Sequence, residues 1–437
     1  MVMAQATAHA YPQLPHARIY PNHAHLATEV LAEAGHSGKA ADRILGATLR
    51  EQRRLGGRDR RIVRELVFFS LKYRGWLAFL ANPTTDTPEA TPANRLIGAA
   101  LATAGRLDTV LAEQLSLDAG FADQIQQNMR IGTQNRPGYA RYNLGPLNLT
   151  LFSQFPRGLR SRINEALLAR APVDIRFRHR QGSAVTAFLH HLDQQRISHE
   201  PIEGLPQARR IYHNPNLTQH KSFKQGLFDI QDAGSQWICE LLDVRANHRV
   251  LDSCAGAGGK SLNLADRTQE PLLAADVDPQ RLARLTIRAD RMRVGGIKTL
   301  SHDGAARPTP ASFGTFDRIL IDAPCSGSGT WRRHPEGRFI NPDIPSLQQL
   351  QYNLLSNMAE RLAPGGLLMY ATCSLWQEEN EQIVDRFLTE HPQWQLAPIA
   401  EHQPVPSGCD RSGMLRLRPD THGCDGFFAA RLMRRPV

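Results

Sequence analysis

Paired cysteines are missing from this 437-residue chain. Its six, Cys239, Cys254, Cys325, Cys373, Cys409 and Cys424, are scattered without one C-x-x-C. That spacing argues against both a zinc site and a disulfide framework, so no metal is expected and each thiol starts as a small buried hydrophobe. Long apolar runs are missing too: nothing approaches the roughly eighteen residues of a membrane helix. The opening residues, Met1-Val-Met-Ala-Gln-Ala-Thr-Ala-His9, lack the basic-then-apolar order of a secretory signal. A soluble, cytoplasmic protein is expected, with no membrane partner and nothing demanding more than a monomer. The chain holds no internal repeat and no low-complexity tract. Acidic residues fall short of basic ones, 42 against 52, for a net charge of +10. Such an excess favours an anionic partner, although solubility alone also explains it.

The length allows two or three domains. Residues 1–20, rich in Pro and His, read as a flexible lead-in. Residues 21–150 read as a helical domain, patterned from His25 to about Leu117, with a Gln-, Asn- and Gly-rich linker over 118–150. Within it, Ile62-Val-Arg-Glu-Leu-Val-Phe-Phe69 repeats apolar side chains at helical spacing. Arg53, Arg54, Arg58, Arg60, Arg61, Arg64, Lys72 and Arg74 crowd the same region. They form either a solvated surface partnered by Asp59 and Glu65 or a phosphate-contacting patch without sequence choice. Residues 151–232 read as a small α/β module, with a strand near 173–178 and a helix near 183–194. From 233 to 437 helices and strand-like runs alternate, predicting an α/β, mostly parallel sheet.

That last region is organised around Arg249-Val-Leu-Asp252-Ser-Cys254-Ala-Gly256-Ala-Gly258-Gly259-Lys260-Ser261, a buried strand, a glycine turn and a helix start. A phosphate loop needs glycine six residues before Lys260, where Cys254 stands. A dinucleotide fingerprint begun at Gly256 would end on Ser261, which is not glycine. Strand-like runs end at Asp252, Asp276, Asp303, Asp322 and Ala371, so four carboxylates would share one sheet edge, where ligands bind. Any one of them could equally be a helix cap or turn residue. Asp276 is placed to accept both ribose hydroxyls, and Asp303 to meet an adenine amino group. With no room made for a pyrophosphate, S-adenosylmethionine is the predicted cofactor.

Two cysteines follow strand ends, in Asp322-Ala-Pro324-Cys325-Ser-Gly-Ser-Gly329 and Tyr370-Ala-Thr-Cys373-Ser374. A helix starting soon after a strand-end cysteine favours thiolate, so both thiols are expected to be activated. Methyl transfer to pyrimidine carbon 5 explains the need for them. A thiolate added to carbon 6 makes the ring an enamine and carbon 5 nucleophilic. Asp322 is positioned to protonate or hydrogen-bond ring nitrogen 3, and a second thiol to assist release.

Those two motifs resemble the paired cysteine motifs of Sun/Nop-type RNA cytosine-5 methyltransferases. The glycine turn is similar to that family's C-A-A-P-G-G-K, with Ala255-Gly256-Ala257 in place of A-A-P. Arg332-Arg333-His-Pro335, Glu379-Asn380 and Asp425-Gly-Phe-Phe428 match further positions, and Arg176-Phe-Arg178 departs from the usual Arg-Val-Asn. Leu55-Gly-Gly-Arg-Asp-Arg60 with its helix resembles a NusB-type RNA-binding domain. The resemblance implies a Rossmann-like catalytic domain behind an RRM-like module and a NusB-like domain. It implies Cys373 as nucleophile and Cys325 as the aid to release, although the DNA cytosine-5 enzymes use the proline–cysteine motif for attack. It implies cofactor contacts from Cys254, Ala255, Gly256, Ala257, Gly258, Gly259, Lys260, Asp276, Asp303 and Asp322. RNA contacts are expected from Arg58, Arg60 and Arg61, and from Arg332 and Arg333 unless these form a charged surface turn. The implied substrate is 16S ribosomal RNA, with transfer RNA as the alternative and a non-catalytic RNA-binding assembly factor as the rival of another class.

Overall fold

The computed structural model describes residues 14, 18–37, 39–178, 182–212, 216–306 and 314–436. The expected lead-in therefore lies almost wholly outside the described residues. Contacts divide the chain into two units, 1–164 with 334–341, and 165–333 with 342–437. The expected boundary at 150 thus falls at 164, and the small α/β module does not separate from the region that follows it.

The first unit is helical. In the helix Gly57–Lys72 the apolar spacing buries Ile62, Val63, Leu66 and Val67, which join one core with Leu45, Leu77 and Leu101. The region read as a linker is helical as well, with helices Phe121–Met129, Gly138–Tyr142 and Pro146–Phe152. Phe121 and Ile125, four residues apart, share a face and enter the same core. The amides that suggested a linker have a structural use here. Gln124 Nε2 donates to the Ala81 carbonyl at 3.1 Å and Asn128 Nδ2 to that of Leu80 at 2.7 Å, satisfying the last turn of the helix Arg74–Ala81.

The segment 334–341 also belongs to this unit. Arg338 is fully buried, donating to the carbonyls of Asn143 and Tyr142 and to Asn164 Oδ1 at 2.6–2.9 Å. Burial pulls its guanidinium down to about 9. Asn148 Nδ2 donates in turn to the carbonyls of Gly337, Arg338 and Ile340.

The second unit begins with four antiparallel strands, β1 (Val173–Phe177), β2 (His199–Ile202), β3 (Leu205–Ile211) and β4 (Phe228–Ile230), ordered β2-β3-β1-β4. The helix Gly182–Gln194 packs Phe188 and Leu192 on Ile175 and Phe177. Where the family pattern is broken, Arg176 and Arg178 both reach Asp266, and Arg178 also donates to the Met292 carbonyl at 2.9 Å. The arginine in place of asparagine adds a tether to the neighbouring helix end.

The larger sheet holds β5 (Val250–Asp252), β6 (Leu272–Asp276), β7 (Ile297–Ser301), β8 (Phe316–Asp322), β9 (Leu362–Thr372), β10 (Trp394–Leu396), β11 (Met414–Leu417) and β12 (Phe427–Arg434). Its order is β10-β12-β9-β8-β5-β6-β7, with β11 beside β12. Strands β5 to β9 pair in parallel and β12 antiparallel to its neighbours. Chain order reverses on either side of β5, leaving a crevice past its carboxyl end. Asp303 lies two residues beyond β7 rather than at its end, because that strand stops at Ser301. Among the described residues no helix is long and apolar enough to cross a membrane.

Candidate active site

Past the end of β5 the backbone turns through Gly256 (φ +54°) and Gly258 (φ +84°) into the helix Gly259–Ala265. A Cβ at Gly256 would meet no atom within 4 Å, whereas one at Gly258 would strike Leu285 at 2.5 Å. The first glycine leaves open space beside a ligand site, and the second is required by packing. A cavity of about 720 Å³ opens here, within the usual range for small-molecule sites. Its walls include Cys254, Ala255, Gly256, Ala257, Gly259, Lys260, Asp276, Asp303, Asp322 and Cys325. Of the expected cofactor residues, Gly258 alone does not line it.

The acids differ in what they hold. Asp276 accepts the Gly256 N–H on Oδ2 and the Asp278 N–H on Oδ1, both at 2.8 Å, which locks its carboxylate and leaves lone pairs for a ligand. Asp303 accepts the Ala305 N–H at 2.9 Å. Asp252 accepts the Ser261 hydroxyl at 2.6 Å on Oδ2, while its buried Oδ1 meets no partner among the described residues. Burial pushes its carboxyl up to about 7, against the lowering effect of Ser261. Residues that the motifs do not single out complete the wall, among them Gln231, Arg288 and Leu354. Gln231 is the turn's brace: its Nε2 donates to the Gly259 carbonyl and its Oε1 accepts from Asn263, both at 3.1 Å.

The two motif cysteines meet. Cys325 Sγ and Cys373 Sγ lie 3.4 Å apart although 48 positions separate them, because β8 and β9 are parallel neighbours that end together. The expectation of two activated thiols fails at Cys325. Its contact with Cys373 and its burial hold that thiol well above its usual range, and the first element after each strand is a short 3₁₀ turn rather than an α-helix. Either sulfur of the pair can donate to the other. Burial also raises Cys254. Lys260 Nζ donates to Asp322 Oδ2 at 2.6 Å. Burial works against its charge, but Asp322 holds its ammonium above the ordinary value.

The expected RNA contacts divide. Arg58 and Arg61 are exposed on the helix Gly57–Lys72. Arg60 turns inward and donates to the carbonyls of Leu49, Gln52 and Leu55, closing the end of the helix Ala41–Glu51. Arg332 and Arg333 do sit in a turn, 331–333, but neither guanidinium is left unpaired there. Each pairs with both Asp232 and Asp425, and Arg332 is buried. Asp232 also caps the helix Ala233–Leu241, so this cluster fixes the loop after Cys325 to the sheet.

Residues 239–433 match the family model described as 16S rRNA methyltransferase RsmB/F. The chain is 33% identical over 259 residues to ribosomal RNA small subunit methyltransferase B of Yersinia pestis bv. Antiqua (strain Angola), covering 59% of this chain and 58% of that one. Against the protein of the same name from Yersinia pseudotuberculosis serotype O:1b (strain IP 31758), the figures are 34% over 251 residues, 57% and 56%. The chain thus matches little more than half the length of these curated relatives. The solved structure of PH0851 is similar in fold (TM-score 0.76, 23% identity, 95% of this chain and 99% of that one). So is a methyltransferase homolog protein from Pyrococcus horikoshii (TM-score 0.57, 29% identity, 68% and 98%). Over residues 239–433, then, the chain is similar to the family described as 16S rRNA methyltransferase RsmB/F.

Proposed function

We propose that this protein methylates carbon 5 of a cytosine in small-subunit ribosomal RNA, using S-adenosylmethionine and a transient bond to Cys373. The observation that carries this reading is the 3.4 Å contact between two strand-end thiols, one of which lines the cavity.

The cavity's donor set fits S-adenosylmethionine, which when bound supplies an electrophilic methyl group. Asp276 retains acceptor capacity for ribose hydroxyls, Gly256 leaves space, and the unpartnered Oδ1 of Asp252 suits an α-ammonium. This last assignment has a pH signature. Asp252 titrates near 7, so affinity for S-adenosylmethionine should fall by about tenfold per unit below that value. Because its folded value lies above the unfolded one, the apo protein is stabilised below about pH 4 and loses this contribution as pH rises through about 7. Calorimetry and melting curves between pH 5 and 8 should show both trends, and Asp252→Asn should flatten both.

On the substrate side, Cys373 adds to carbon 6, and the Lys260–Asp322 pair passes a proton to ring nitrogen 3 as charge develops. Carbon 5 takes the methyl group as the sulfonium S–CH₃ bond breaks to leave S-adenosylhomocysteine; its proton then passes to solvent water, and ring nitrogen 3 returns its proton to the Lys260–Asp322 pair. The electron pair of that C–H bond rebuilds the 5,6 double bond while the C–S pair returns to Cys373. Cys325 donates its S–H to the departing sulfur. The resemblance of Tyr370-Ala-Thr-Cys373-Ser374 to the family motif that carries the nucleophile supports Cys373, rather than Cys325, in that role. The base must be unpaired or leave its stack to reach this pocket.

RNA carrying 5-fluorocytosine tests the reading. Fluorine does not leave as a proton does, so an adduct surviving denaturing gels is expected with S-adenosylmethionine present. Intact RNA and no adduct would exclude a covalent route. Bisulfite sequencing of total RNA from cells with and without the protein distinguishes ribosomal from transfer RNA, and calorimetry showing no heat with S-adenosylmethionine would favour a pure RNA-binding role.

A further inference from the structure

Between the two cysteine loops, the connections converge on one side chain that the chemistry above does not use. Glu379 is fully buried. Its Oε1 accepts the Ser326 N–H at 2.8 Å and Gln351 Nε2 at 3.1 Å. Its Oε2 accepts the hydroxyls of Ser326 at 2.6 Å and Ser374 at 2.5 Å. Ser326 directly follows Cys325, and Ser374 directly follows Cys373. Gln351 also donates to the Pro324 carbonyl at 2.8 Å, so the Cys325 loop is gripped on both sides of the thiol. Four donors fill the acceptor capacity of one carboxylate. Among the described residues no Lys or Arg pairs with it. These hydrogen bonds are therefore what keeps the buried group in place, since burying it without them would be costly.

Neighbouring groups reinforce the same point. The Tyr370 hydroxyl donates to the Glu379 carbonyl at 2.6 Å. Asn380 accepts from Thr372 Oγ1 and donates to the Ser374 carbonyl, bridging the residues on either side of Cys373. Ser328 Oγ lies 3.2 Å from Ser374 Oγ and accepts the Leu375 N–H, adding a second strut between the loops.

We propose that Glu379 is a positioning residue for the thiol chemistry: its single carboxylate clamps the residues after both cysteines and so sets the separation of the two sulfurs. Glu379 touches neither sulfur and is not itself catalytic. The proposal rests on the paired-thiol reading given above, and its test does not require RNA or methyl transfer.

The full-length protein is treated with diamide, which takes two electrons and two protons from a thiol pair, leaving a disulfide and a hydrazine. Mass analysis of linked peptides follows closure of Cys325 to Cys373, whose rate reports how the sulfurs are juxtaposed. Wild type should close readily. Glu379→Ala should close about 100-fold more slowly, the usual effect of a displacement near 1 Å. Glu379→Gln keeps the bridge, because the two serine hydroxyls can turn to accept from its amide, and should close nearly as fast as wild type. Ser326→Ala/Ser374→Ala should resemble Glu379→Ala. Calorimetry with S-adenosylmethionine should give the wild-type affinity throughout, and methyl-transfer kcat should fall with closure rate while KM for RNA holds.

Unchanged closure in Glu379→Ala would overturn the clamp and leave the paired thiols standing. Closure in Glu379→Gln as slow as in the alanine variant would overturn it too, since charge and not bridging would then control the loops. If Glu379→Ala does not fold, the double serine variant decides, with slow closure supporting the clamp and wild-type closure overturning it. A wild-type protein that never joins Cys325 to Cys373 would instead overturn the paired-thiol reading itself.

Discussion

Cys325→Ala should leave the protein covalently attached to ordinary RNA. On the proposed route the sulfur that departs from carbon 6 is that of Cys373, and the Cys325 thiol, 3.4 Å away, is the donor that stabilises it as it leaves. Removing the donor leaves addition and methylation possible and slows elimination. Loss of a well-placed proton donor costs about 10²–10⁴-fold, so the adduct should outlast purification and appear as a retarded band on denaturing gels. Cys325→Ser keeps a hydroxyl at the same place and should release RNA faster than the alanine variant. If Cys325→Ala turned over normally, with no trapped RNA, the division of labour between the thiols would be wrong.

Cys373→Ala has the opposite signature. Without a nucleophile no adduct forms, even on 5-fluorocytosine RNA, and methyl transfer should fall by a factor on the order of 10⁶, as it does when a covalent nucleophile is deleted elsewhere. S-adenosylmethionine should still bind, because Cys373 is absent from the cavity wall while Asp252, Asp276 and Lys260 are present in it. The double variant should behave as Cys373→Ala, since release is irrelevant when nothing is attached. Should the adduct persist in Cys373→Ala and vanish in Cys325→Ala, the two roles would have to be exchanged.

The site's acids are legible in the chain because each apolar run of the parallel sheet stops at its ligand edge. Asp252, Asp276 and Asp322 end their strands as the runs suggest. Pairing of the two thiols follows from the same rule, once β8 and β9 are neighbours. What escapes a reading of local pattern is anything decided by a distant partner. Arg332 and Arg333 look like surface cations until Asp232 and Asp425, about a hundred positions away in either direction, neutralise them. Arg60 sits in a run of arginines with the same composition as its neighbours, yet two carbonyls at one helix end and one in the loop after it claim it. The amides over 118–150 look like linker because a Gln or Asn gives no local sign that it will satisfy another helix. Cys325 misleads differently: a strand end suggests activation, but a second thiol lies 3.4 Å away and, with burial, raises it.

The helical unit is discontinuous along the chain, since 334–341 completes what 1–164 begins. During synthesis its last piece therefore emerges from the ribosome roughly 180 residues late, a wait of about 10–35 s at ordinary elongation rates. Until then the carbonyls of Tyr142 and Asn143 lack the guanidinium that binds them in the finished protein. The amino-terminal unit is thus finished only after most of the parallel strands have been made, and severing the gene near position 164 would leave its last piece, 334–341, on the other product.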